Sequence, residues 1–173
     1  MAKMIEIAVS IPCSAWTKAL PAAGRLGRQA AFAAIEASQG EVASRAAAAE
    51  VSLVLADDAL VQALNRDYRG HDRPTNVLSF ALADGKDGSS HRPDGAPVLL
   101  GDVIVAFETA AAEAGDEGGN LADHLCHLVV HGMLHLLGYG HRTDAVSERM
   151  QRMEVQALSS LGIADPYCQP DRQ

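Results

Sequence analysis

The chain is predicted to be an α+β single domain with one small mixed sheet of about four strands packed against about five helices. Three observations predict this. Four short stretches have strand character, longer stretches with helical periodicity separate them, and the helices are partly grouped instead of alternating strictly with the strands. The 173 residues fit one domain, residues 1–173, and are enough to bury a core without disulfides or a structural metal.

Residues 4–10, MIEIAVS, alternate apolar and polar side chains as a half-buried strand does. An alanine-rich helix over 16–38 follows; Pro21 and Gly24 weaken its first turns, and Leu26, Ala30, Ala33 and Ala34 give it a thin apolar face. EVASRAAAAE, 41–50, suits a helix extension or a linker equally. VSLVLA at 51–56 reads as a buried strand, and DDALVQALNRDYRG then offers acidic residues to open a helix and glycine to close it. Pro74 breaks that helix, and NVLSFAL at 76–82 returns to strand.

Residues 84–97, DGKDGSSHRPDGAP, are turn chemistry throughout and are expected to form an exposed loop, an ordinary surface loop being favoured over a lid on the site. VLLGDVIVAF at 98–107 is a strand whose central glycine marks a bulge or the close approach of another segment. A helix over ETAAAEAG comes next. Asn120 caps the following one, LADHLCHLVVHGMLHLLG, which is apolar nearly all round and therefore belongs in the middle of the fold. The last helix spans 144–161, with Asp144 near its start and Gly162 after its end.

The interior helix also carries the chemistry. Residues 131–141 read HGMLHLLGYGH, a spacing H-x-x-x-H-x-x-G-x-x-H. Four residues along a helix are about 400° of rotation, so His131 and His135 sit one turn apart on the same face. Gly138 tolerates the left-handed geometry that ends a helix and lets His141 approach from the side. Three nitrogens then occupy three corners of a tetrahedron and leave the fourth open, as in a catalytic zinc site, although imidazole also suits iron, nickel and copper. His124 and His127, on the same helix, are read as packing or supporting residues. Zinc peptidases place a glutamate directly after the first histidine as general base. Here that position is Gly132, which argues against a protease because the amine leaving group then lacks its proton donor.

The net charge of −8 disfavours indiscriminate binding to nucleic acid, so any RNA partner needs a local patch. The candidate is NRDYRGHDR at 65–73, where Arg66, Arg69 and Arg73 are offset only by Asp67 and Asp72. Cys13, Cys126 and Cys168 are odd in number and far apart, giving neither a disulfide framework nor a thiolate site. No apolar run is long enough to span a bilayer and the start shows no signal pattern, so a cytoplasmic location is expected, without a membrane partner.

With these residues in view, the chain resembles the YbeY family of bacterial metal-dependent endoribonucleases. The histidine block HGMLHLLGYGH is similar to the family's HGxLHLxGYDH; YRGHDRPTNVLSF at 68–80 resembles its arginine block; LLGDVIV at 99–105 resembles its strand motif; and LGIADPY at 161–167 resembles its tail. The likeness covers roughly residues 51–167. It implies a zinc ion held by His131, His135 and His141, with Arg69 and His131 catalytic and the Arg69 guanidinium clamping the scissile phosphate. It further implies cleavage of single-stranded RNA, not DNA, in maturation of 16S ribosomal RNA and in ribosome quality control, with the small ribosomal subunit or its proteins as partners. Where the family has aspartate before its third histidine, this chain has Gly140, and Asp144 is the candidate to replace it in orienting a ligand or water. Two other readings stay open: a ribosome-assembly binding module with a structural zinc, and a metal-dependent amidase or peptidase.

Overall fold

Pro21 divides the first helical stretch in two. In the computed structural model, which describes residues 4–38, 48–82 and 97–168, helix α1 (Ser14–Ala19) stops at Leu20, and α2 (Ala23–Ala37) restarts beyond the proline. Leu20 has φ −143° and ψ 87°, because the residue before a proline is pushed out of helical geometry. This break makes six helices among the described residues, against the expected five.

The sheet contains β1 (Met4–Ser10), β2 (Ala48–Ala56), β3 (Val77–Ala81) and β4 (Val98–Ala106) in the order β1-β2-β4-β3. β1, β2 and β4 run parallel, and β3 is the antiparallel edge strand beside β4, so the sheet is mixed as expected. β2 begins three residues earlier than VSLVLA suggested: Ala48, Ala49 and Glu50 of the undecided stretch are strand. Its remainder, 41–47, and all of the expected surface loop except Pro97 lie outside the described residues.

Between the strands run α3 (Asp58–Arg69), α4 (Phe107–Asp116), α5 (Leu121–Leu136) and α6 (Asp144–Ser160). The main core joins α2, α5 and α6 to one sheet face, through Ala30, Ala34, Leu53, Val103, Val105, Val129, Met133, Met150 and Leu158. Small residues on α2 let it lie close between its neighbours. Trp16 of α1 is fully buried, donates its indole N–H to the Ala56 carbonyl at 2.9 Å, and meets Phe107 edge-on at 5.1 Å. A smaller cluster of Ala56, Val61, Leu78, Ile104 and Ala106 seats α3 on the other face. None of the helices searched is long and apolar enough to cross a membrane.

Both meanings of the glycine in β4 are realised at once. Beside it, the pairing with β2 passes from Glu50–Leu99 to Val51–Gly101 and leaves Leu100 without a partner, which is a bulge in β4. Gly101 itself has φ +135°, and a Cβ there would stand 2.0 Å from the Phe80 carbonyl oxygen and 3.0 Å from Leu136 of α5. Gly101→Ala should therefore destabilise the fold by at least about 2 kcal/mol, lowering the thermal midpoint by several degrees. An unchanged denaturation midpoint would show that β3, β4 and α5 are not packed this closely.

Candidate metal centre

α5 is capped by Asn120, whose side chain accepts from the Asp123 N–H at 2.8 Å, and it ends in a paired C-terminal turn. Gly138, at φ +98°, donates its N–H to the His135 carbonyl, and Tyr139 donates to the Leu134 carbonyl at 3.0 Å. This turn reverses the chain toward α6. His131 and His135 project from one face of α5 with ring centroids 4.6 Å apart, and the His141 ring lies 5.8 Å and 5.4 Å from theirs. One nitrogen from each ring lies within 4.8 Å of the other two, so the expected triad is brought together and can hold a metal ion.

The outer nitrogens of the rings decide what the inner ones present. His131 donates Nδ1–H to Glu154 Oε1 at 2.5 Å, and His135 donates Nδ1–H to the Tyr139 carbonyl at 3.1 Å. A carbonyl and a carboxylate only accept, so each ring carries a proton on Nδ1 and turns its Nε2 inward, where a neutral ring has a lone pair. Burial, then the neighbouring His131 and His141, push the pKa of His135 down, which keeps that ring neutral. The two Nε2 atoms face each other at 3.0 Å. When both rings are neutral, two lone pairs at that distance repel, and a shared cation removes the conflict. Tetrahedral zinc at about 2.0–2.1 Å from each nitrogen would separate them by roughly 3.3 Å, so this pair fits the ion with little adjustment, and His141 would have only to draw in from the 4.8 Å within which the three nitrogens lie.

Glu154 is the residue that sequence reasoning missed. It is 1% exposed on α6 and also accepts from His127 Nε2 at 3.2 Å and from the Tyr167 hydroxyl. Burial alone would raise its pKa; the hydrogen bonds from His127, His131 and Tyr167 outweigh it and hold the carboxyl down at about 2. A signal was present: Met150, Glu154, Ala157 and Leu158 form the buried stripe of α6, an acid where an apolar residue is expected. His127 is thus a supporting residue, as read. His124 instead meets Glu113 at 2.7 Å, and Glu113 in turn accepts from the Asn76 amide. Among the described residues no hydrogen bond joins Asp144 to the triad; Ser147, one turn further along α6, faces His141 Nδ1 at 3.4 Å. A side chain at Gly140 would enter open space, so the family's aspartate position is free of steric constraint.

His131 and His135 lie on the wall of an open cleft of about 830 Å³, shared with Arg69, His71, Arg73 and the edge strand β3. Arg69 is the last residue of α3; Gly70 follows in the left-handed conformation at φ +72° and turns the chain into the 71–76 segment. Asn65, buried in α3, secures that segment by donating its amide to the Arg73 carbonyl at 2.8 Å. The Arg69 guanidinium donates to the Ser79 carbonyl at 2.7 Å, while the Ser79 hydroxyl donates to the Gly132 carbonyl beside His131. Of the three arginines in the basic stretch, Arg69 and Arg73 reach the cleft, whereas Arg66 pairs with Asp67. Gly132 has a physical reason to be glycine: a Cβ there would stand 2.7 Å from Val103 and 3.0 Å from the Ser79 hydroxyl. A peptidase glutamate does not fit at this position.

Glu154→Ala should cost about 2–3 kcal/mol, because it takes a buried acceptor away from three part-buried donors. Thermal unfolding in the presence of chelator checks this independently of any ion. A loss below about 1 kcal/mol would mean that water already serves those donors.

The sequence profile of the family Endoribonuclease YbeY matches residues 25–162. A relative named Endoribonuclease YbeY from Paramagnetospirillum magneticum is 57% identical over 170 residues, covering 96% of this chain and 98% of the relative. A second of that name, from Rhodospirillum rubrum, is 48% identical over 165 residues, covering 94% of this chain and 82% of its own length. The solution structure of TM1509 from Thermotoga maritima aligns with a TM-score of 0.51 at 20% identity, over 96% of this chain and all of that one, and so shares the fold. With the profile matching most of its length and relatives this similar along nearly all of it, the chain belongs to the endoribonuclease YbeY family.

Proposed function

We propose that residues 1–173 form a single zinc-dependent endoribonuclease domain that cuts single-stranded RNA. The observation that carries this reading is the pair of opposed Nε2 atoms on the wall of a cleft that also presents Arg69 and Arg73. Relatives named as endoribonucleases supply the substrate class. His131, His135 and His141 would hold the ion. Zinc bound there would supply a Lewis acid that eases deprotonation of the nucleophile and neutralises charge on the phosphate.

The chain's own residues do the rest. Arg69 offers paired N–H donors to the scissile phosphate, and its bond to Ser79 fixes where that fork points. Glu154 and the Tyr139 carbonyl hold the two imidazoles in the tautomer that presents Nε2. Phosphodiester cleavage depends chiefly on positioning and charge neutralisation, so a glycine at 132 costs it nothing. The substrate we assign is 16S ribosomal RNA during small-subunit maturation and ribosome quality control in the cytoplasm. A net charge of −8 leaves the chain weak general affinity for RNA or DNA, and ribosomal partners would supply the specificity.

Purified protein incubated with a single-stranded ribosomal RNA fragment should cut it, chelator should stop the cutting, and zinc should restore it. Arg69→Ala should lose about 10²–10³-fold in rate while keeping its metal. Unfolding on metal removal, with no cleavage to lose, would instead favour a binding module with a structural ion.

A further inference from the structure

Side chains alternate across the edge strand β3. Ser79 points to α5 and the histidines, whereas Leu78 and Phe80 point to α3. On that second face lies a hollow of about 520 Å³, walled by Tyr68, Phe80, Leu82 and Ile104, which shares Arg69 and Ser79 with the metal cleft. Tyr68 is 73% exposed and Leu82 58%. The Tyr68 ring meets Phe80 edge-on at 5.6 Å, and the Arg69 guanidinium carbon lies 5.4 Å from the Phe80 ring centre.

We propose that this hollow is a base-stacking subsite, in which Tyr68 takes the face of a nucleotide base next to the one cut in the cleft. The inference rests on the RNA-cleaving reading of the cleft and adds a second contact point to it. Arg69 joins the two: a phosphate held by its guanidinium in the cleft leaves the neighbouring nucleotide beside Phe80 and Tyr68. Stacking also answers the charge problem, since a chain of net charge −8 gains little from phosphate contacts and base–aromatic contact needs no cation. Asp102 in the same hollow repels phosphate but accepts from the exocyclic amino groups of adenine, cytosine and guanine. A peptide is the poorer occupant. It would pair with the free edge of β3, where Arg69 already occupies the Ser79 carbonyl.

The test is binding of a fluorescein-labelled, 2′-O-methyl single-stranded oligonucleotide of about eight residues, followed by anisotropy, beside cleavage of its unmodified counterpart. Because Tyr68 projects into solvent, its variants should fold, and their thermal midpoints verify that. Tyr68→Ala should weaken binding roughly ten- to a hundredfold, Tyr68→Leu by a similar factor, and Tyr68→Phe little. Native-like binding by Tyr68→Ala, with cleavage still chelator-sensitive, would overturn the subsite alone. Native-like binding by Tyr68→Leu would replace stacking by simple apolar contact and overturn it as well. If the native chain neither binds nor cuts RNA, the reading of the cleft fails and the subsite fails with it.

Discussion

Two imidazole nitrogens held 3.0 Å apart, each with its proton fixed on the far side of the ring, are the constraint on which the site depends. Left to themselves, two neutral histidines one helical turn apart would turn a donor toward an acceptor and share a hydrogen bond. Glu154 and the Tyr139 carbonyl prevent this by engaging Nδ1 of each ring. With both rings neutral, the two lone pairs repel, and a bound cation would relieve that repulsion. Burying a carboxylate to achieve this is costly on its own, and three hydrogen bonds to Glu154 offset the cost.

The fold is arranged around that requirement. α5 is buried on most of its circumference, so its histidines cannot drift, and α6 packs against it to bring Glu154 to within 2.5 Å of His131. Two glycines let the sheet come close enough to complete the wall. Gly132 lets α5 approach β3 and β4, and Gly101 lets β4 pass under Phe80 and Leu136. β3 is thereby pressed between the histidine helix and α3, and its Ser79 ties Arg69 to the metal side of the cleft. The edge strand of this small sheet thus forms one wall of the cleft.

Much of this was legible in the residues. The i, i+4 histidines, the glycine three residues on and the all-round apolar helix pointed to a buried helix ending beside three clustered histidines, and that is the geometry found. Caps at Asn120 and Gly70 were equally readable, because their chemistry is local. What escaped was long-range. Pro21 was read as weakening one helix, whereas the extended backbone it forces on Leu20 splits it. Glu154 lies 23 residues from His131 and looked like an ordinary helix acid; only the packing of α6 on α5 brings them together. Asp144, three residues after His141, is the neighbour the sequence suggests for the triad; the side chain that faces His141 Nδ1 is that of Ser147.

Zinc X-ray absorption on the metal-loaded protein addresses the central constraint directly. The expected spectrum is that of a shell of three imidazole nitrogens at about 2.0–2.1 Å and one oxygen ligand, unchanged in Arg69→Ala and disordered in Glu154→Gln. A shell containing sulfur, or one identical in native and Glu154→Gln proteins, would contradict it, since the ion would then be held elsewhere or the histidines would need no carboxylate to present their lone pairs.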